Sequence, residues 1–163
     1  MQATYYLRNL PKPLKPLLLL FCVVMVFGYS TSLYLVYSTT QMQANGIEEN
    51  YLGNEADEEA EILKFEKSPK EMASTVHNHL FSMAIIILIL SVMLYFTKTR
   101  ESLKRFLMVE PMVSLMITFG SMLLLWQGII WMKYVLLVSG LFLHGSILLC
   151  VALNFKELIS NRT

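Results

Sequence analysis

Cysteine is scarce in this chain and poorly placed for cross-linking. The two cysteines, Cys22 and Cys150, both sit inside apolar runs. That excludes a disulfide framework, which needs paired cysteines in an oxidising compartment. The expectation is two buried thiols that pack as small hydrophobes. Histidine is scarcer still for a metal protein, at three residues, and no complete nucleotide-binding, zinc or catalytic motif stands in the sequence. Charge is missing over long stretches. Only 15% of the 163 residues are charged, against 55% hydrophobic, and the charges are swept out of the apolar runs. A soluble domain interleaves the two.

What is present are four long apolar runs, Leu17 to Tyr37, Val76 to Thr97, Phe106 to Trp126 and Tyr134 to Asn154. A hydrocarbon core of ~30 Å requires about 20 apolar residues per helix. The fold class expected is therefore all-α: a polytopic membrane protein with a four-helix transmembrane bundle, one domain over residues 1–163. The first run follows Arg8, Lys12 and Lys15 like a signal peptide, but it is too long for a signal core and reads as a retained anchor. Pro11, Pro13 and Pro16 keep its approach extended up to the first turn.

The net charge of +1 conceals an asymmetry. Nine of the twelve acids (Glu48, Glu49, Glu55, Asp57, Glu58, Glu59, Glu61, Glu66 and Glu71) fall in the polar segment 39–74, answered there by Lys64, Lys67 and Lys70. Lys98, Arg100, Lys104 and Arg105 crowd the next connection. Basic residues in short loops face the cytoplasm. The amino end, the 98–105 connection and the tail with Lys156 and Arg162 all fall on one side, so the expected orientation is N-in and C-in. The sequon Asn161-Arg162-Thr163 would then lie inside, unused. The basic residues are explained by topology, and no nucleic-acid partner is implied. Trp126, Trp131 and Tyr134 form an outer aromatic belt, with Tyr95 at the inner boundary.

Within segment 39–74, Asn45-Gly46 and Gly53-Asn54 read as turns. Asp57 to Phe65 reads as a short helix laying Ile62, Leu63 and Phe65 on the membrane or the bundle, and the rest as loop. Ser68-Pro69-Lys70-Glu71 is a capping box with proline at the first helical position, so the second helix should begin at Pro69, outside the lipid.

Ionisable groups inside spans are costly and often functional. His77 and His79 stand at the outer end of the second helix and His144 stands in the fourth. Positions two apart on a helix point about 200° apart, so His77 and His79 cannot grip one ion. His79 shares a stripe with Thr75, Ser82 and Ile86, and His77 with Phe81 and Ala84. A haem clamp by His79 and His144 needs equal depth, whereas counting along the helices leaves a mismatch of roughly 12 Å. In the third helix Glu110, Ser114, Thr118 and Ser121 form a polar stripe on one face. Packing accounts for such a stripe, and a substrate path is the alternative. His144, flanked by Gly140, Gly145 and Ser146, reads as a polar bridge at a close helix contact.

Lys67-Ser68-Pro69-Lys70-Glu71-Met72 leading into His77-Asn78-His79, then Glu110-Pro111, Thr118-Phe119-Gly120 and Trp131-Met132-Lys133-Tyr134, resembles a group of small uncharacterised bacterial four-helix inner-membrane proteins. The resemblance covers residues 67 to 140. It implies a bacterial inner-membrane location and no activity. The resulting expectation is a non-enzymatic integral membrane protein, an accessory or interaction component without a cofactor, partnered by the lipid bilayer and by a membrane protein or a second copy. The alternatives are a haem b- or metal-bearing electron-transfer subunit using His79, His77 or His144, and a small transporter.

Overall fold

A computed structural model describes residues 6–55 and 62–160. Its elements run α1 (Leu14–Thr40), α2 (Ala44–Leu52), α3 (Pro69–Tyr95), α4 (Glu101–Trp126) and α5 (Met132–Ile159), preceded by a single 3-10 turn at Leu7–Asn9. Helices α1, α3, α4 and α5 are each long and apolar enough to cross a membrane, so the chain is a multi-pass membrane protein. No strand occurs among the described residues.

Each helix starts where its sequence permits. Pro13 caps α1 and Pro16 lies in its first turn, where a missing N–H costs nothing. Ser68 accepts the Glu71 N–H, while the Glu71 carboxylate accepts the Ser68 N–H at 2.8 Å. Two otherwise orphaned donors are thus satisfied at the start of α3. In lipid every backbone group must be satisfied internally, so long helices are the available solution. The hydroxyls of Ser30, Thr31, Ser38 and Thr40 follow the same rule, donating to carbonyls three or four residues back.

Helices α3, α4 and α5 form the core, with α4 and α5 the closest pair, and α1 lies against α5. Lipid tails are as apolar as leucine, so association rests on close packing and interhelical hydrogen bonds. Leu94, Leu107, Leu115, Leu125 and Leu143 are fully enclosed. Asn154, also fully enclosed, donates from Nδ2 to the Leu90 carbonyl at 3.0 Å, joining α5 to α3. Pro111 stands inside α4 and has no N–H for the carbonyl four residues back. That carbonyl, Leu107 O, lies 3.6 Å from Cys150 Sγ, whose thiol donates to it. Cys22 and Cys150 are both free and buried.

Segment 39–74 departs from expectation. Asn45-Gly46 forms no turn and lies within the first turn of α2, and residues read as loop are helical over Ala44–Leu52. The left-handed pair Gln41 and Met42 (φ 52° and 53°) reverses the chain between α1 and α2. Gly46 is required by the close approach that follows, since a Cβ there would stand 2.1 Å from the Thr40 carbonyl oxygen. The helix expected over Asp57 to Phe65 lies partly outside the described residues. Ile62 to Phe65, which are described, are not helical. Asn54 holds them open instead: its side chain accepts the Lys64 N–H at 2.6 Å and donates to Ile62 O at 3.0 Å.

Candidate functional site

The end of the bundle that carries both termini is latched by one carboxylate. Arg8 clasps Glu157 through Nε at 2.6 Å and Nη2 at 3.1 Å, and the Lys98 N–H donates to the same carboxylate at 3.2 Å. The Leu7 N–H donates to Phe96 O at 2.9 Å. The amino-terminal segment, the α3–α4 connection and the end of α5 therefore meet. The hydrogen bond to Glu157 raises the Arg8 guanidinium above its ordinary range. A lone acid near the end of an apolar run gives no hint in sequence of a partner 149 residues away.

The opposite end is a braced cap. Lys133, at the start of α5, reaches Glu48 at 2.6 Å and Asn45 at 3.0 Å on α2. Lys64 joins Glu49 at 3.1 Å to the Thr39 carbonyl at 3.3 Å, tying the Asn54 clasp to the last turn of α1. The Lys67 N–H donates to Tyr51 O, and the Trp126 indole donates to Lys67 O at 2.9 Å. Burial pushes the Tyr51 phenol above its usual range. Ile62, Leu63 and Phe65 are 71%, 55% and 64% exposed, so this segment turns its apolar side chains outward from the brace. Glu55 and Glu66 are exposed beside them.

The histidines occupy separate surroundings. His79 is exposed; its Nδ1 lies 2.9 Å from Thr75 O and its ring 5.7 Å from that of Phe119. A carbonyl only accepts, so Nδ1 donates there, and in a neutral ring Nε2 is the acceptor. His77, also exposed, stacks obliquely on Phe81 at 4.9 Å. His144 is half-buried, with Nδ1 2.7 Å from Gly140 O and its ring edge-on to Tyr29 of α1 at 5.6 Å. Carbonyl-anchored imidazoles of this kind have the orientation that metal ligands use, so either Nε2 could ligate singly. The structure does not bring the two together. Phe119 fixes the depth of His79, and its neighbour Thr118 bonds Ser139 of α5. His144 lies five residues beyond Ser139, about 8 Å deeper, on the face of α5 turned to α1. Among the described residues no three His, Cys, Asp or Glu side chains converge as a metal site.

The three hydroxyls of the α4 polar stripe are each engaged in a hydrogen bond. Ser114 donates to the Glu110 carboxylate, Thr118 donates to Ser139 at 2.9 Å, and Ser121 donates to Thr118 O at 3.0 Å. Glu110 Oε2, Tyr29 Oη and Asn154 Oδ1 are enclosed with no hydrogen-bond partner among the described residues. Asn154 and Tyr29 were missed by sequence reasoning. A single amide at a span's end and one tyrosine among several lipid-facing ones carry no pattern, because their burial depends on which neighbour packs there.

No curated protein and no solved structure matches the chain significantly. Residues 41–163 match a family model described as a transmembrane helical domain. That stretch takes in α2 to α5 and most of the chain's length, and the protein belongs to this transmembrane helical domain family.

Proposed function

We propose that the protein is a non-enzymatic component of a bacterial inner membrane, an accessory or interaction subunit whose outer cap receives a partner protein. The observation that carries this reading is the cap itself. Lys133, Lys64 and Trp126 brace it onto α5, α1 and α4, yet Ile62, Leu63 and Phe65 project from it beside Glu55 and Glu66. A segment held this firmly and left apolar on its outer side has the composition of a recognition patch, an apolar centre with a charged rim. The hydrogen bonds within the α4 stripe support packing rather than a substrate path. The cytoplasmic assignment of both termini rests on the gathering of Arg8, Lys98, Arg100 and Lys156 at one end.

The test is photocrosslinking in the native membrane from position 63 or 65, with position 27 on the lipid face of α1 as control. A single protein adduct from the cap and none from position 27 is expected. Lipid adducts alone from both would overturn the partner assignment. Reporter fusions after Arg105 and near Glu58 should read cytoplasmic and periplasmic respectively, and the reverse result would invert the topology. The haem alternative makes a separate demand: a Soret band in the purified protein that disappears in His79→Gln would replace this reading.

A further inference from the structure

An open apolar groove runs between α4 and α5 on the lipid side of the core. Leu103, Phe106 and Leu107 form one wall, and Phe142, Gly145 and Leu149 form the floor and the other. Gly145 makes the floor: a Cβ built there meets nothing within 4 Å. Two cations stand at the termini end of this groove. Lys156 lies seven residues beyond Leu149 and eleven beyond Gly145 on α5, spacings that keep it on the same face. Arg100, the residue capping α4, precedes Leu103 by three and Leu107 by seven on the opposing wall.

Their depths agree. The 3.6 Å contact of Cys150 Sγ with Leu107 O fixes a common level on the two helices. Lys156 is six residues past that level and Arg100 seven before it, so both lie about 10 Å nearer the termini. Both are exposed, and neither is paired with an acid among the described residues. The nearby acids are engaged: Glu101 bonds Lys104 at 2.8 Å, and Glu157 bonds Arg8. On the same stripe of α4, Glu110 sits farther from the termini, bonded to Ser114.

We infer that this groove is a binding site for an anionic phospholipid of the leaflet on the termini side, with an acyl chain along the groove floor and the phosphate between Arg100 and Lys156. Basic pockets between membrane helices recognise anionic headgroups, each cation contributing on the order of 1 kcal/mol near the surface. Two cations at equal depth, about one headgroup beyond the end of an apolar channel, match a phosphodiester with its chains. The site lies at the opposite end of the molecule from the cap and stands independently of the partner reading.

Native mass spectrometry of the purified full-length protein with equimolar phosphatidylglycerol and phosphatidylcholine of the same acyl chains tests it. The wild type should retain phosphatidylglycerol roughly tenfold to thirtyfold over phosphatidylcholine. Arg100→Gln with Lys156→Gln should bring that ratio close to one. Lys98→Gln with Arg105→Gln, which removes equal charge outside the groove, should preserve it. Gly145→Leu should lower retention of both lipids, because the added side chain occupies the floor. Equal retention of the two lipids by the wild type would overturn the site. So would equal loss of preference in the two double variants, since bulk charge would then explain binding.

Discussion

Helices α1 and α3 have the same mean hydropathy over their most apolar stretch, 2.0, yet only 17% of that stretch is buried in α1 against 28% in α3 and 39% in α4 and α5. Hydropathy therefore says that a segment belongs in lipid and says nothing of its neighbours. What separates the helices is where their polar side chains point. Ser30, Thr31 and Thr39 of α1 return to its own backbone. In the core two hydroxyls also cross between helices, Thr118 to Ser139 and Ser91 to the Met108 carbonyl, while Ser114 and Ser121 bond within α4. In a solvent as apolar as the side chains themselves, such bonds and the close packing around them decide which helices belong together. The match to the transmembrane helical domain family also begins beyond α1, at residue 41.

The largest effect should come from comparing leucines on the two sides of this divide. Leu115 in α4 is 1% exposed and Leu20 in α1 is 61% exposed. Leu115→Ala should cost about 2–4 kcal/mol, because the cavity it leaves is closed on all sides. Leu20→Ala should stay within about 0.5 kcal/mol. Reversible unfolding in bicelles measures both. An equal cost at Leu20 would show that α1 has a protein neighbour, such as a second copy, and the comparison would fail.

A second effect sharpens the account of the core. Cys150→Ala removes the one donor found among the described residues for the carbonyl that Pro111 releases, and a buried unsatisfied carbonyl costs about 1–2 kcal/mol. Pro111→Ala restores an N–H to α4 at that carbonyl. In a double-mutant cycle the cost of Cys150→Ala should then largely vanish. Additive costs would mean that the thiol contact is incidental to the proline.

Much of the architecture was legible in the sequence because it depends on local quantities. The lengths of the apolar runs marked the four spans, and Ser68, Pro69 and Glu71 marked the start of α3 through bonds no more than three residues long. The opposed directions of His77 and His79 followed from helical spacing. What stayed hidden was long-range or depended on backbone geometry. Helix α2 was masked by Asn45-Gly46, a turn signal that the helix absorbs because only glycine fits under the Thr40 carbonyl. The Arg8–Glu157 latch and the Lys133–Glu48 brace join residues 149 and 85 apart. Charge patterning had assigned Arg8 to topology. The groove with Arg100 and Lys156 needed the register between α4 and α5, which one thiol contact supplies.

A smaller effect is expected at the local cap of α3. Ser68→Ala should cost ~1 kcal/mol and raise amide exchange from Lys70 to Thr75 while leaving the rest of α3 unchanged. Exchange spreading past Ile87, which is buried against the core, would mean that α3 behaves as one unit with its extramembrane turns.

The smallest effect belongs to the outer cap and comes from Tyr51. Burial raises its phenol above the ordinary tyrosine value, which is about 10. A raised folded value means that the folded cap prefers the neutral phenol. The associated stability is fully present below the ordinary value and is lost as pH rises toward the folded one. Lysine side chains in general lose charge in nearly the same range, so the tyrosine must be isolated by difference. In a Trp131→Phe background, Trp126 reports the cap through its bond to Lys67 O. Its quenching by acrylamide should rise as pH climbs past about 10 in both Tyr51 and Tyr51→Phe proteins, and the rise should be smaller in the phenylalanine variant. Identical curves would assign the alkaline loosening to the lysine braces alone. A cap that stays closed in both would show that packing of α2 against α4 and α5, rather than its ion pairs, holds it to the bundle.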